Sequence, residues 1–353
     1  SKINLNDIKV NYGDENSKTF AKVNLNEFET KINKLDLENS IFDIENILLK
    51  DADIEANLFL SSNNSTSNSS TSSTPMNLVL NETKLENVKV KYNNTAERRT
   101  AQGMDFNHLD FSKLNLDLRD FEMKNNTFAG QVKSAEIKES RGLNIQKLTT
   151  NFLYANTQAY LKNLYLQTPK TVLRDEVILR YNTINELTSH PENVLVNANI
   201  KNSKIGFADI LNLAPTLRNT TPFDKYPNAI LSVNTNVKGK VNDLLINNLQ
   251  VSGLDDLQLS ASGRVKNAMN PKNLYYDMNI KNFSTSSKTI YNLVTKNTIP
   301  NNIRIPSKLS VKGKAKGTTE IINTQLAINS TLGNAKIDAI VDMQKKDAEK
   351  YNV

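Results

Sequence analysis

The chain has 353 residues and a formal net charge of +7, from 44 Lys and Arg against 37 Asp and Glu. It has no Cys, no Trp, two His and 11 Gly, and about one residue in seven is Asn. These counts exclude disulfide scaffolds, thiolate zinc sites, iron–sulfur clusters and cysteine nucleophiles, leave little for a histidine metal site, and disfavour glycine-rich phosphate loops and propellers.

The first strand signal is Leu5-Asn6-Asp7-Ile8-Lys9-Val10, in the order apolar, two polar residues, apolar, any residue, apolar. The same order returns at Ile44-Glu45-Asn46-Ile47-Leu48-Leu49, Leu85-Glu86-Asn87-Val88-Lys89-Val90 and Leu118-Arg119-Asp120-Phe121-Glu122-Met123. Further copies are Leu161-Lys162-Asn163-Leu164-Tyr165-Leu166, Ile246-Asn247-Asn248-Leu249-Gln250-Val251 and Leu254-Asp255-Asp256-Leu257-Gln258-Leu259. A strand places alternate side chains on one face. The polar pair shifts that alternation by one, which would turn apolar side chains to the wrong face. A bulge or tight turn is therefore expected at each pair, and Asn and Asp accept both readily. Leucine-rich repeats share part of this consensus but recur every ~20–29 residues. Most copies here lie roughly 40 apart and do not keep the Asn of that consensus.

Ser61 to Pro75 is nearly all Ser, Asn and Thr, and reads as a flexible excursion between strands. Strand-type alternation resumes at Leu78 and is strict at Leu114, Leu116 and Leu118, at Val194 and Val196, at Leu231 and Val233, and at Leu257 and Leu259. Helix-period patches are few: a weak one at Ile184 to Leu187, ended near Pro191; one from Gly206 to Leu213, stopped by Pro215; and one from Ser287 to Thr295. The predicted helices cover about 206–217 and 286–297.

Longer repeats overlie these elements. Asn4 to Tyr12 matches Lys84 to Tyr92, and Asn199-Ile200-Lys201-Asn202 recurs as Asn279-Ile280-Lys281-Asn282, each about 80 residues on. Each Asn-Ile-Lys-Asn precedes a helix, a Pro-containing loop and a strand. The expected organisation is strand repeats over 1–190 and helix-bearing strand repeats over 191–353. The chain starts at Ser1 and stops at Val353 in mid-pattern, so a middle fragment of a longer protein is expected.

Chemistry is sparse. There is no G-x-S-x-G elbow, Walker loop, H-E-x-x-H or G-x-G-x-x-G motif. His108 and His190 sit in polar, turn-like settings and read as surface residues. The pairs Asp255-Asp256 and Asp51/Asp53 read as turns, and Lys-Ala-Lys between Gly313 and Gly317 excludes a membrane-helix dimer motif. No catalytic residue, cofactor or metal is expected. Lys alternates with apolar residues in Val88-Lys89-Val90-Lys91-Tyr92, which marks the solvated face of a strand, not a nucleic-acid footprint. No stretch reaches the ~18 apolar residues of a membrane span. The absence of Cys fits an oxidising compartment and equally a compositional drift.

Such a sheet raises a covering problem. Roughly 250 residues in strands of ~8, spaced ~4.8 Å apart, would extend on the order of 100 Å. The helices are too few and short to cover its apolar face, so the sheet must curl on itself or form a groove holding an apolar ligand. Candidate lining residues are Ile8, Val10, Val88, Val90, Leu116, Leu118, Leu164, Leu166, Val233, Val237, Leu257 and Leu259. An acyl chain of ~16 carbons would gain up to roughly 12 kcal/mol there, at ~0.8 kcal/mol per CH₂.

The repeated Leu-x-x-Leu-x-Leu entries, the run Asp120-Phe121-Glu122 to Gly130, Ala159 to Pro169 and the Asn-Ile-Lys-Asn-then-helix units carry a resemblance. Over about residues 1–345 the chain resembles the AsmA superfamily, and within it the TamB-type translocation and assembly module proteins. The resemblance implies a mainly β fold, an elongated repetitive β-groove (β-taco) with a few short flanking α-helices. It implies a periplasmic bridge in a Gram-negative envelope, anchored in the inner membrane outside this fragment. It implies phospholipid acyl chains and an outer-membrane BamA-like barrel, TamA-type or its lipidated counterpart, as partners. The implied roles are phospholipid conduction towards the outer membrane and assistance to outer-membrane protein assembly. The family has no catalytic residues to carry over. The alternative from the residues alone is a structural or adhesive β-rod, or envelope scaffold, with a closed dry core.

Overall fold

The computed structural model describes residues 1–60, 76–294, 299, 303–342 and 350–352. The Ser/Asn/Thr segment 61–75 and positions 295–297 of the second expected helix lie outside the described residues. The fold is mainly β, with 67% of residues in strands and 9% in short helices. The chain folds as two compact units. Unit 1 holds residues 1–156, 160–169 and 209–215; unit 2 holds 157–159, 170–208 and 216–353.

In unit 1 the strands are β1 (Lys2–Asp14), β2 (Thr19–Asp36), β3 (Ile41–Leu58), β4 (Asn77–Asn94), β5 (His108–Lys124), β6 (Thr127–Glu139) and β7 (Asn144–Tyr154), followed by β8 (Gln158–Gln167). Consecutive strands from β1 to β7 pair antiparallel, except that β3 and β4 run parallel. The Thr150 hydroxyl on β7 donates to the Lys162 carbonyl of β8 at 3.1 Å.

Unit 2 is an antiparallel meander. It contains β9 (Val172–Arg180), β10 (Leu195–Gly206), β11 (Ile230–Lys240), β12 (Asp243–Gly253), β13 (Leu257–Lys266), β14 (Tyr275–Ser286), β15 (Lys308–Thr318), β16 (Ile321–Ser330), β17 (Gly333–Asp342) and β18 (Lys350–Asn352). Its helices are α1 (Glu186–Ser189) and α3 (Ser287–Leu293), which follows β14; α2 (Phe207–Leu213) follows β10, with residues 209–213 belonging to unit 1. Ser286 caps α3, its hydroxyl accepting from Thr289 N, and Asp256 accepts from the Thr289 hydroxyl at 2.8 Å. The two Asn-Ile-Lys-Asn units thus occupy the same place, in the middle of a twelve-residue strand that feeds a helix.

The polar pairs of the repeated motif act as bulges. Asp7, Asn87, Asp120 and Asn163 have φ between 50° and 54°, the left-handed region that Asn and Asp tolerate best among residues with a Cβ. Asp51 and Asn202, outside the motif copies, do the same with φ of 48° and 45°. At 246–251 the ladder also slips, Ile246 to Leu249 facing only Gly263 to Ala261. At 254–259 the polar pair forms the turn between β12 and β13, with Leu254 and Asp255 at positive φ.

One bulge line crosses several strands. The β1–β2, β2–β3 and β3–β4 registers pass Asp7, Asp51 and Asn87 unchanged. The shift is absorbed at β5: Leu85 pairs with Leu116 while Val88 pairs with Leu114. Three steps on β4 thus match two on β5, so Leu85 and Val88 share a face although their spacing is odd. The amide freed at the bulge is met by Asn115 on β5, whose Oδ1 accepts from Asn87 N at 2.7 Å. Unit 2 repeats the device, with Asn234 Oδ1 on β11 accepting from Asn202 N at 2.6 Å.

His108 differs from its reading as a surface residue. It is 7% exposed, with Nδ1 3.2 Å from Oδ2 of Asp105, itself 1% exposed. The same Asp105 oxygen accepts from Thr100 N at 2.8 Å, and the Arg141 guanidinium lies 3.6 Å away. His190 is exposed, beside Glu192.

Two measurements test these local accounts. Asn87→Val should lower the unfolding free energy by about 1–2 kcal/mol in urea melts, because a branched Cβ is strained at this φ. Asn87→Gly should stay within about 0.5 kcal/mol. Burial pushes the Asp105 carboxyl up, but the bonds from Thr100 N, His108 and Asn107 N outweigh it and hold it below the usual aspartate range. Its contribution is therefore present above the unfolded value of about 3.9 and is lost as pH falls through the lower folded value. The stability gap between the natural chain and Asp105→Asn should be flat above about pH 5 and shrink below pH ~4.

Candidate functional site

Residues paired across a ladder point to one face, so register defines rows of side chains. In unit 1 one row runs Leu5, Phe28, Leu49, Leu85, Leu116, Ala135 and Leu148 from β1 to β7. A second joins Ile8, Leu25 and Ala52, and continues through Val88, Leu114, Ile137 and Ile145. A third joins Val10, Val23, Ile54, Val90 and Phe111. A fourth joins Ile3, Thr30, Ile47, Thr83, Leu118, Val132 and Thr150.

These rows place Ile8, Val10, Val88, Val90, Leu116 and Leu118 on a single face of unit 1. Val88 is 1% exposed, Val10 is 48% exposed, and the other four are half-buried. Leu164 is buried and Leu166 half-buried on β8, two residues apart and so on one side of that strand. In unit 2 a row runs Ser203, Val233, Val251, Leu259, Phe283, Val311 and Ile328. Its neighbour runs Ala198, Val237, Ile246, Gly263, Met278, Ala315 and Thr324. Val233 is buried, Val237, Leu257 and Leu259 are half-buried, and Leu257 stands opposite Gly253.

The burial pattern follows side-chain size. The fully buried positions in these rows include Ala52, Val88 and Ala135, while Leu49, Leu85, Leu114 and Leu116 beside them keep partial exposure. Small side chains are shielded by their larger row neighbours, and the larger ones still meet solvent. Gly263 and Gly313 of unit 2 stand on the same face. A Cβ on Gly263 (φ 152°) would run into Asp277 and Met278 of β14, and one on Gly313 (φ 137°) into Gln325 of β16. Both positions need glycine because neighbouring backbone approaches closely.

The reverse face carries the charge, and many of its cations are paired. Lys31 meets Glu45 at 2.6 Å, Lys113 meets Glu136 at 2.8 Å, Arg119 meets Glu82 and Asp117, and Arg264 meets Asp243. The Arg119 guanidinium holds the Asp117 carboxyl below its usual range. Such exposed pairs contribute about 0–1 kcal/mol each. Among the described residues no group of three His, Asp or Glu side chains stands together as a metal site, and no helix is long and apolar enough to cross a membrane.

The candidates include the second and third apolar positions of four motif copies, Ile8 and Val10, Val88 and Val90, Leu164 and Leu166, and Leu257 and Leu259. They leave out first positions such as Leu5 and Leu85, the third position Leu49, and row members between copies such as Leu25, Phe28 and Leu114. The signal was present, since a bulge at the polar pair returns the first apolar residue to the same face. No family model, no curated protein and no solved structure matches the chain.

Two motif valines on the same face should differ sharply in tolerance. Val88→Asp should lower the unfolding free energy by about 3 kcal/mol or more, since it buries a carboxylate in an apolar row. Val10→Asp, nearly half exposed, should change it by no more than about 1 kcal/mol. Chemical denaturation of the two variants measures the difference.

Proposed function

We propose that this protein conducts phospholipid acyl chains along an apolar groove formed by its β-sheet face. The observation that supports this reading is the set of predominantly apolar rows, wholly apolar from Leu5 to Leu148 and from Ile8 to Ile145, whose larger side chains remain partly exposed. Such a surface gains free energy by covering itself with hydrocarbon, at about 25 cal/mol per Å². Successive strands offer nearly the same rows, so a bound chain meets similar wells one strand spacing apart. That repetition suits passage better than fixed recognition. It also needs no catalytic group, and we read the protein as a non-enzyme.

With this reading go the resemblance's context and partners. We place the protein in the periplasm of a Gram-negative envelope, tied to the inner membrane by a segment outside this sequence. A BamA-like outer-membrane barrel, TamA-type or its lipidated counterpart, would receive it. Conduction between the membranes and assistance to outer-membrane protein assembly are the roles proposed. A closed β-rod or scaffold is the competing account, and it needs a dry core with its large apolar side chains fully covered.

The test is binding of a phospholipid with a fluorescent acyl chain to the purified protein and to Leu118→Arg, a half-buried row position. Binding should be lost in Leu118→Arg, with circular dichroism and melting temperature close to those of the natural chain. Lys91→Glu, on the opposite face, should bind normally. Undiminished binding by Leu118→Arg, or none by the natural chain, would count against the proposal.

A further inference from the structure

The second feature that invites a ligand lies on the polar side of unit 2, and it does not rest on the lipid reading. Two adjoining open clefts, of about 500 and 330 Å³, share Gln258. Their floor is a cross-strand row: Ser232, Ser252, Gln258, Ser284, Ser310 and Asn329 pair in sequence from β11 to β16. A shorter row, Asn234, Gln250, Ser260 and Asn282, runs beside it. Each residue of these rows presents a hydroxyl or a carboxamide, and none is charged or aromatic.

Hydrogen-bonding capacity is left over. Asn234 is engaged with Asn202 N. The side chains of Gln250, Ser252, Gln258, Ser284, Ser310 and Asn329 have no hydrogen-bond partner among the described residues. Charge enters at the ends: Lys204 of β10 pairs with Ser232, and Asp256 and Lys308 line the larger cleft. The Asp256 carboxylate is already held by the hydroxyls of Thr285, Ser286 and Thr289 at 2.8–3.2 Å.

From this geometry we infer a binding site for an extended, uncharged oligosaccharide lying across the strands. The spacing selects the ligand class. Neighbouring strands stand about 4.8 Å apart, so the long row offers a hydroxyl or carboxamide at nearly every such step over roughly 24 Å. One pyranose unit of an extended glycan spans close to one such step and presents hydroxyls at each. An extended peptide, with a rise of about 3.4 Å per residue, falls out of step with the row. A polyanion finds cations only at the ends, Lys204 and Lys308, and none between Ser232 and Asn329 along the long row, and an apolar ligand would strip water from the amides and hydroxyls without replacing those bonds. Without an aromatic platform, affinity rests on hydrogen bonds exchanged with water, which places the dissociation constant in about the millimolar range.

Titration of the isotopically labelled protein with cellohexaose, followed by amide chemical shifts, tests the site. Shifts should concentrate on β11 to β16 around Ser252, Gln258 and Ser284. Ser284→Lys, which drives a long charged side chain into the cleft, should weaken binding at least about tenfold, a loss expected when several hydrogen bonds fail together. Gln258→Ala should weaken it about threefold, for one bond lost, and decides the matter should Ser284→Lys fold poorly. Maltohexaose, which is curled, should bind less well than cellohexaose. No shifts up to about 20 mM cellohexaose, given the millimolar expectation, would overturn the site. So would undiminished binding by both variants, or tighter binding of an acidic oligosaccharide than of the neutral one.

Discussion

The structure depends on one local constraint: a strand must keep its apolar side chains on a single face for its full length. Strands of 17 and 18 residues, as in β2 to β5, are long for this task. Strict alternation over such a length accumulates twist and carries the apolar face out of line with its neighbours. A bulge inserts one residue, bends the strand and resets the alternation. Asn and Asp at Asp7, Asp51, Asn87 and Asp120 make that insertion at low cost, because they enter the left-handed region more readily than other residues with a Cβ. Part of the chain's Asn content has this structural use, at Asn87, Asn163 and Asn202.

The bulge also explains how the rows arise. Shifts at Asp51 and Asn87 in adjacent parallel strands cancel, so the β3–β4 register runs through them unchanged. Where the extra residue of one strand has no counterpart on the next, as at Asn87 where β4 meets β5, an asparagine on the partner accepts from the extra amide. The same solution at Asn202 and Asn234 marks it as a recurring device of this sequence. Rows of Leu, Ile, Val and Phe then cross strand after strand, while ion pairs and polar rows occupy the reverse side.

Much of this was legible in the sequence, for physical reasons. The L-x-x-L-x-L order predicts a bulge because a period of two cannot accommodate a spacing of three. The Asn-Ile-Lys-Asn repeat predicts a strand leading into a helix, and both helices form where Pro215 and the polar caps allow. The rest depends on which strands become neighbours. Asn115 and Asn234 look like any other asparagine until register sets them opposite a bulge. His108 reads as a surface residue because its neighbours are polar, yet it is buried against Asp105, which Thr100 N and Arg141 also hold. The parallel β3–β4 pairing and the polar clefts of unit 2 likewise have no signature in a single strand. Register turns scattered Ser, Asn and Gln residues into continuous rows.

The account rests most heavily on the half-exposed apolar rows being filled by lipid in the working protein. The most direct measurement is solvent extraction and mass spectrometry of the protein purified without detergent. Phospholipid should co-extract in stoichiometric amounts and should be lost from protein carrying an arginine in the apolar rows. A folded, monodisperse protein free of lipid, which takes up none when mixed with phospholipid vesicles, would contradict the account and favour a closed β-scaffold.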